Sequence, residues 1–146
     1  MNKIITNSEK ETFEFAKNIA QTLKGSETLC LIGDLGSGKT AFVKGLAKGL
    51  GVADMITSPT FVLMKNYDVE TGHAPSLRKL VHIDAYRLLS GKDLEAIGIN
   101  DYLNNPLYIT VIEWADRVRA SWPKDCLKIN FKTLRGNKRE IIIHKT

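Results

Sequence analysis

Eight residues, Gly33-Asp34-Leu35-Gly36-Ser37-Gly38-Lys39-Thr40, constrain what this chain can fold into more than any other stretch. They fit the pattern G-x-x-x-x-G-K-[ST], and they fall where that pattern has physical meaning. Before them lies the short apolar run Thr28-Leu29-Cys30-Leu31-Ile32; after them a helical stretch from about Lys39 to Leu50 stops at Gly51. The glycines let consecutive amides turn inward and approach an anion without Cβ obstruction, and the helix start adds partial positive charge. Lys39 is expected to neutralise the outer phosphates of a nucleotide, and the Thr40 hydroxyl to meet Mg²⁺, a hard cation that takes few protein oxygens when it is shared with phosphates. ATP or GTP binding is implied.

The rest of the sequence is that of a packed globular chain. It has 146 residues, of which 43% are hydrophobic and 25% charged, a balance that argues against disordered, collagenous and disulfide-scaffold classes. No repeat or Pro/Gly linker divides it, so one domain over 1–146 is expected. No apolar run approaches the roughly 20 residues of a membrane helix, and Met1-Asn2-Lys3-Ile4-Ile5-Thr6 has no signal-peptide core, so a cytoplasmic location is expected. Cys30 and Cys126 each sit in or beside an apolar run and read as reduced core thiols. The net charge of +5 is uneven: residues 117–146 hold nine Lys/Arg against two acids, leaving twelve against fourteen in residues 1–116. A basic end of this kind attracts phosphates, RNA or an acidic partner, or simply forms a solvated face.

Helix and strand signals alternate, which predicts a P-loop NTPase-like three-layer α/β sandwich with a mostly parallel central sheet. Ser8 to Glu11 has the S-x-x-E form of a helix start, and Phe13, Ala16, Ala20 and Leu23 then share a face up to Gly25. Thr60 to Tyr67 is predicted as a strand and Asp68 to Ser76, with Gly72 and Pro75, as a surface turn. Two central strands are expected at Leu80–Asp84 and Leu107–Glu113, with helical spacing from Lys92 to Leu103 between them. Alternation at Leu127, Ile129 and Phe131, then Arg135-Gly136-Asn137, then Arg139 to His144 predicts a C-terminal antiparallel hairpin.

Each central strand ends in a carboxylate. Ligands of open α/β sheets sit beyond the carboxyl ends of the strands, so Asp84 and Glu113 should face the crevice that the phosphate loop faces. One would hold Mg²⁺ and the other orient the attacking water or the threonine ligand; the residues alone do not say which. Ser58-Pro59-Thr60 lies where a segment sensing the third phosphate is often placed, with Thr60 switch-like, or is an ordinary turn into a strand. Trp114 packs either over the nucleotide or into the core. His73, His82 and His144 lack metal-ligand spacing, and His82 reads as a core or surface histidine; Arg87 pairs with a nearby acid or with a partner. Guanine recognition has poor support, since the nearest approach to N-K-x-D is Asn137-Lys138-Arg139-Glu140 and no D-x-x-G follows either strand. Two alternatives to an ATPase stay open: a small-molecule kinase using Arg135 and Arg139, and a nucleotide-switched RNA-binding module using the basic tail.

Four motifs together, Gly33–Thr40, Ser58-Pro59-Thr60-Phe61, His82-Ile83-Asp84-Ala85-Tyr86-Arg87 and Glu113-Trp114, resemble in order and spacing the TsaE (YjeE) family of bacterial ATPases of tRNA threonylcarbamoyladenosine biosynthesis. Ala85 stands where the family usually has Leu, and Ala41 where it often has Thr. The resemblance implies ATP binding by Gly33, Leu35, Gly36, Ser37, Gly38, Lys39, Thr40 and Ala41, Mg²⁺ held through Thr40 and Glu113, and Asp84 near the phosphates as a catalytic or positioning acid. It also implies slow hydrolysis alone and a role as accessory to TsaB and TsaD. That pair attaches a threonylcarbamoyl group to the adenosine beside the anticodon of tRNAs reading codons that begin with adenine. Direct tRNA contact through the basic C-terminal segment is a further expectation.

Overall fold

The computed structural model describes residues 2–70 and 77–145. The turn predicted around Gly72 and Pro75, and His73 with it, lies outside the described residues. Seven strands form one sheet: β1 (Asn2–Thr6), β2 (Thr28–Ile32), β3 (Met64–Asp68), β4 (Lys79–Asp84), β5 (Tyr108–Glu113), β6 (Leu127–Thr133) and β7 (Arg139–Lys145), in the order β1-β7-β6-β2-β5-β4-β3. The central run β6-β2-β5-β4 is parallel, as expected, and β6 and β7 form the expected hairpin. The antiparallel share is larger than the hairpin alone, because β1 joins β7 at one edge and β3 joins β4 at the other.

Side chains alternate across this sheet, and two cores result. Leu29, Leu31, Leu80, Ile109, Val111 and Ile129 face the helices α1 (Glu9–Ala20) and α2 (Lys39–Leu50). Cys30, Val81, Ile83 and Ile112 face the opposite layer, built from the short helix α3 (Gly91–Ala96) and 3-10 turns at Ile99–Asp101 and Ala115–Ser121. Both cysteines are buried, and burial, followed by the neighbouring Cys126, pushes the Cys30 thiol well up from its ordinary range.

Local chemistry explains where the helices begin and end. The Ser8 Oγ accepts from the Glu11 N–H at 3.1 Å, and the Glu11 carboxylate accepts from the Asn7 N–H at 2.6 Å, a capping box shifted one residue outward. Helix α2 stops at Gly51, whose φ of +91° is the left-handed ending that glycine adopts freely. The pairing of α1 with α2 is close: a Cβ on Gly45 would lie 2.1 Å from the Phe13 carbonyl oxygen.

Three predicted elements are shorter than expected, the first being the helix read up to Gly25, which ends at Ala20. The strand predicted from Thr60 begins only at Met64, because the Leu63 N–H turns back to the Pro59 carbonyl and Leu63 itself adopts φ +69°. The helix predicted over Lys92–Leu103 breaks at Gly98, with φ +86°, and resumes as a single 3-10 turn. Leu94 is nonetheless buried, and Ile97 and Leu103 pack against the same core. None of the helices among the described residues is long and apolar enough to cross a membrane.

Candidate functional site

The phosphate-loop pattern occupies the link between β2 and α2, on the face that α1 and α2 cover. Its glycines serve different needs. Gly36 and Gly38 have φ of +76° and +106°, conformations that a side chain penalises, whereas Gly33 is a matter of space. A Cβ there would sit 2.6 Å from the Ser37 Oγ and 2.8 Å from the Phe131 carbonyl oxygen. The Ser37 N–H closes a turn onto the Asp34 carbonyl at 3.1 Å, while the first amides of α2 have no intrahelical acceptor. Ser37 Oγ is buried and has no hydrogen-bond partner among the described residues, which leaves an unmade polar contact inside the loop.

Lys39 is the first residue of α2 and only 6% exposed. Its ammonium donates to the Gly33 carbonyl and, at 2.9 Å, to the Asp34 carbonyl, and it lies 4.1 Å from the centroid of the Trp114 ring. Burial lowers its pKa from the ordinary lysine value; the carboxylates of Glu113, Asp34, Asp84 and Asp116 pull in the opposite direction.

Across the cavity stand the two acids. Residues 84 and 113 are partners in the β4–β5 register, so both carboxylates leave the sheet side by side at the carboxyl ends of parallel strands, on the α1/α2 face. Asp84 and Glu113 are 5% and 4% exposed. The Asp84 Oδ1 accepts from the Tyr86 N–H at 2.8 Å, and its Oδ2 accepts from the hydroxyls of Thr60 at 3.0 Å and Ser58 at 3.4 Å. Glu113 is held differently, through its Oε2, 2.6 Å from the Nε2 of the fully buried His82. Directly after it Trp114 takes φ +57°, a conformation rare for a large side chain, and this turn brings its ring over Lys39 and to 4.9 Å from Tyr86.

Together these residues line a cavity of ≈ 540 Å³ that holds Lys39, Thr40, Asp84, Glu113, Thr60 and Trp114, with Leu35, Gly36, Gly38 and Ala41 along the loop side. Gly33 and Ser37 support the loop from behind. Trp114 lines the cavity and also packs against the core. Among the described residues Arg87 finds no acid; its guanidinium stacks on the exposed ring of Phe61, 4.6 Å from the centroid.

Two residues gain a place that their spacing did not announce. Arg139, at the start of β7, donates from Nε to the Gly36 carbonyl at 3.2 Å and so ties the basic hairpin to the phosphate loop across 103 positions. Nothing local in the sequence signals that contact. His82, read as a core or surface histidine, is buried as one but also grips Glu113; its only signal was parity with Asp84 along the strand.

Among the described residues no three His, Cys, Asp or Glu side chains converge into a metal cage. What the cavity offers beside the loop is the Thr40 hydroxyl and the carboxylates of Asp84 and Glu113, a hard and incomplete oxygen set. That set suits magnesium shared with phosphates and would serve a softer metal poorly.

A strand, a glycine-rich G-x-x-x-x-G-K-T loop and a helix, faced by two acids on neighbouring parallel strands, define a P-loop α/β protein. Comparison with known proteins narrows this. A family profile described as threonylcarbamoyl adenosine biosynthesis protein TsaE matches residues 6–141, and the chain belongs to the TsaE family. It is 39% identical over 147 residues to the TsaE of Aquifex aeolicus, an alignment covering 99% of this chain and 97% of that one. Against the TsaE of Bacillus subtilis the identity is 36% over 136 residues, covering 93% and 80%. The crystal structure of YdiB from Bacillus subtilis superposes with a TM-score of 0.77 at 34% identity, covering 96% of this chain and 82% of that one.

Proposed function

We propose that this chain is a magnesium-dependent ATPase of tRNA threonylcarbamoyladenosine biosynthesis, acting as the accessory of TsaB and TsaD. Membership in the TsaE family supports the pathway. The observation that carries the chemistry is the placement of two buried carboxylates, side by side on β4 and β5, opposite Lys39 and Thr40 in one cavity.

In this reading the loop amides and the start of α2 bind the phosphates. Lys39 leaves the Gly33 and Asp34 carbonyls for the outer phosphates, exchanging two neutral acceptors for an anion. Thr40 and Glu113 hold Mg²⁺, which when bound neutralises charge on the phosphate oxygens. Asp84 positions the attacking water, and Thr60, bonded to Asp84, couples the 58–60 segment to the state of the site. Trp114 covers Lys39 and excludes water from that side. The basic hairpin would face tRNA or an acidic partner surface.

Phosphate release is the test. Turnover of the chain alone should be slow and should rise when TsaB and TsaD are added; unchanged turnover with both partners present would remove the accessory role. Appearance of the γ-phosphate on a metabolite instead of as free phosphate would turn the assignment towards a kinase.

A further inference from the structure

The two acids of the cavity are held by unequal means. Asp84 is gripped at both oxygens, by the Tyr86 N–H on one and by two hydroxyls on the other. Glu113 has a longer side chain with one more rotatable bond, and its grip is the contact between Oε2 and the His82 Nε2 at 2.6 Å. We propose that His82 is a positioning residue, which fixes the Glu113 carboxylate so that Oε1 is presented to the cavity. This rests on the assignment of Glu113 to the magnesium side of the site.

Strand geometry makes the contact possible. His82 pairs in register with Val111 and Asp84 with Glu113, so His82 and Glu113 are diagonal neighbours on one sheet face, within reach of long side chains. The backbone of β4 is locked between β3 and β5, with residue 82 opposite Lys65 on one side and Val111 on the other. The imidazole is fully buried. A carboxylate only accepts, so the Nε2 carries the hydrogen of this bond. Nδ1, by contrast, has no hydrogen-bond partner among the described residues, so the ring's one polar tether points at Glu113. A histidine kept only to satisfy buried polar groups would be expected to use both nitrogens.

The same geometry distinguishes substitutes. A glutamine at 82 can carry an amide nitrogen to about the position of Nε2; an asparagine reaches only about as far as Nδ1; a leucine fills the volume and donates nothing. The experiment measures binding of a fluorescent N-methylanthraniloyl ADP to the full chain, first in chelator and then across a magnesium titration. Circular dichroism and thermal melting serve as folding controls.

His82→Leu is expected to bind the nucleotide in chelator within about twofold of the parent, while its half-saturating magnesium concentration rises roughly 10-fold, the loss typical of removing a partner of a metal-ligating group. His82→Gln should return most of that loss and His82→Asn should not. An unchanged magnesium dependence in His82→Leu, or a His82→Gln no better than His82→Asn, overturns the proposal. Should His82→Leu not fold, the glutamine and asparagine variants decide by themselves. Glu113→Gln separates the two levels. If it weakens magnesium dependence while His82→Leu does not, only the role of His82 falls; if it too behaves as the parent, the magnesium assignment of Glu113 falls and takes this proposal with it.

Discussion

The two walls of the cavity are built on different principles. The loop wall is local: eight consecutive residues, two positive-φ glycines and the first turn of α2 place its amides and its lysine. The acid wall is assembled at a distance. Asp84 depends on hydroxyls 24 and 26 positions away, and Glu113 on an imidazole 31 positions away. A wall made of backbone tolerates little change in shape but much in chemistry; a wall made of side-chain contacts behaves the other way round. Substitutions on the loop should therefore act through conformation or outright loss of charge, and those on the acid wall through geometry at nearly constant stability.

The sharpest break in that contrast is Lys39→Met. Hydrolysis should fall by about 10²–10³-fold, the scale for losing one preorganised donor to developing charge. The folded chain should at the same time become more stable. Burial holds the Lys39 pKa below 10.5, so between that lowered value and 10.5 the folded state binds fewer protons than the unfolded one. Stability contributed by this group accordingly rises with pH across that window, and Lys39→Met should flatten the rise in melting curves recorded from neutral to alkaline pH.

Glu113→Gln comes next, with a loss of roughly 10²-fold in kcat measured by phosphate release and unimpaired nucleotide binding in chelator. Thr60→Val keeps the shape of the side chain and removes a bond to a charged acceptor, a change of about 1.5 kcal/mol or roughly 10-fold in turnover. Urea denaturation of this variant should move little. Gly36→Ala is the smallest and is purely conformational: no atom lies within 4 Å of the added methyl, so the cost is that of φ +76° alone, about 1 kcal/mol. A stability loss several times larger would show that the loop is constrained by contacts and not by backbone angle.

That division also explains what the sequence made legible. The cradle from Gly33 to Thr40, the caps at Ser8 and Gly51, the central strands and the C-terminal hairpin all rest on signals within a few residues, and each is found where the pattern predicts it. The carboxylates at the strand ends were legible for the same reason, since their place follows from strand direction. The grips on those carboxylates were not. His82 reaches Glu113 only because β4 and β5 pair in one register, and Arg139 reaches Gly36 only because β6 lies beside β2. The turn over residues 60–63 was hidden by its β-prone composition: Thr60, Phe61 and Val62 favour a strand, yet the bonds to Pro59 and Asp84 win.

Strand order carries one more consequence. β1 stands at the sheet's edge and, among the described strands, pairs with β7 alone, which also supplies the arginine fastened to the phosphate loop. During synthesis β1 must therefore wait, unzipped, until β7 has emerged, so a nascent chain cannot complete its sheet before it has also made the residue that ties down the Gly33–Thr40 loop.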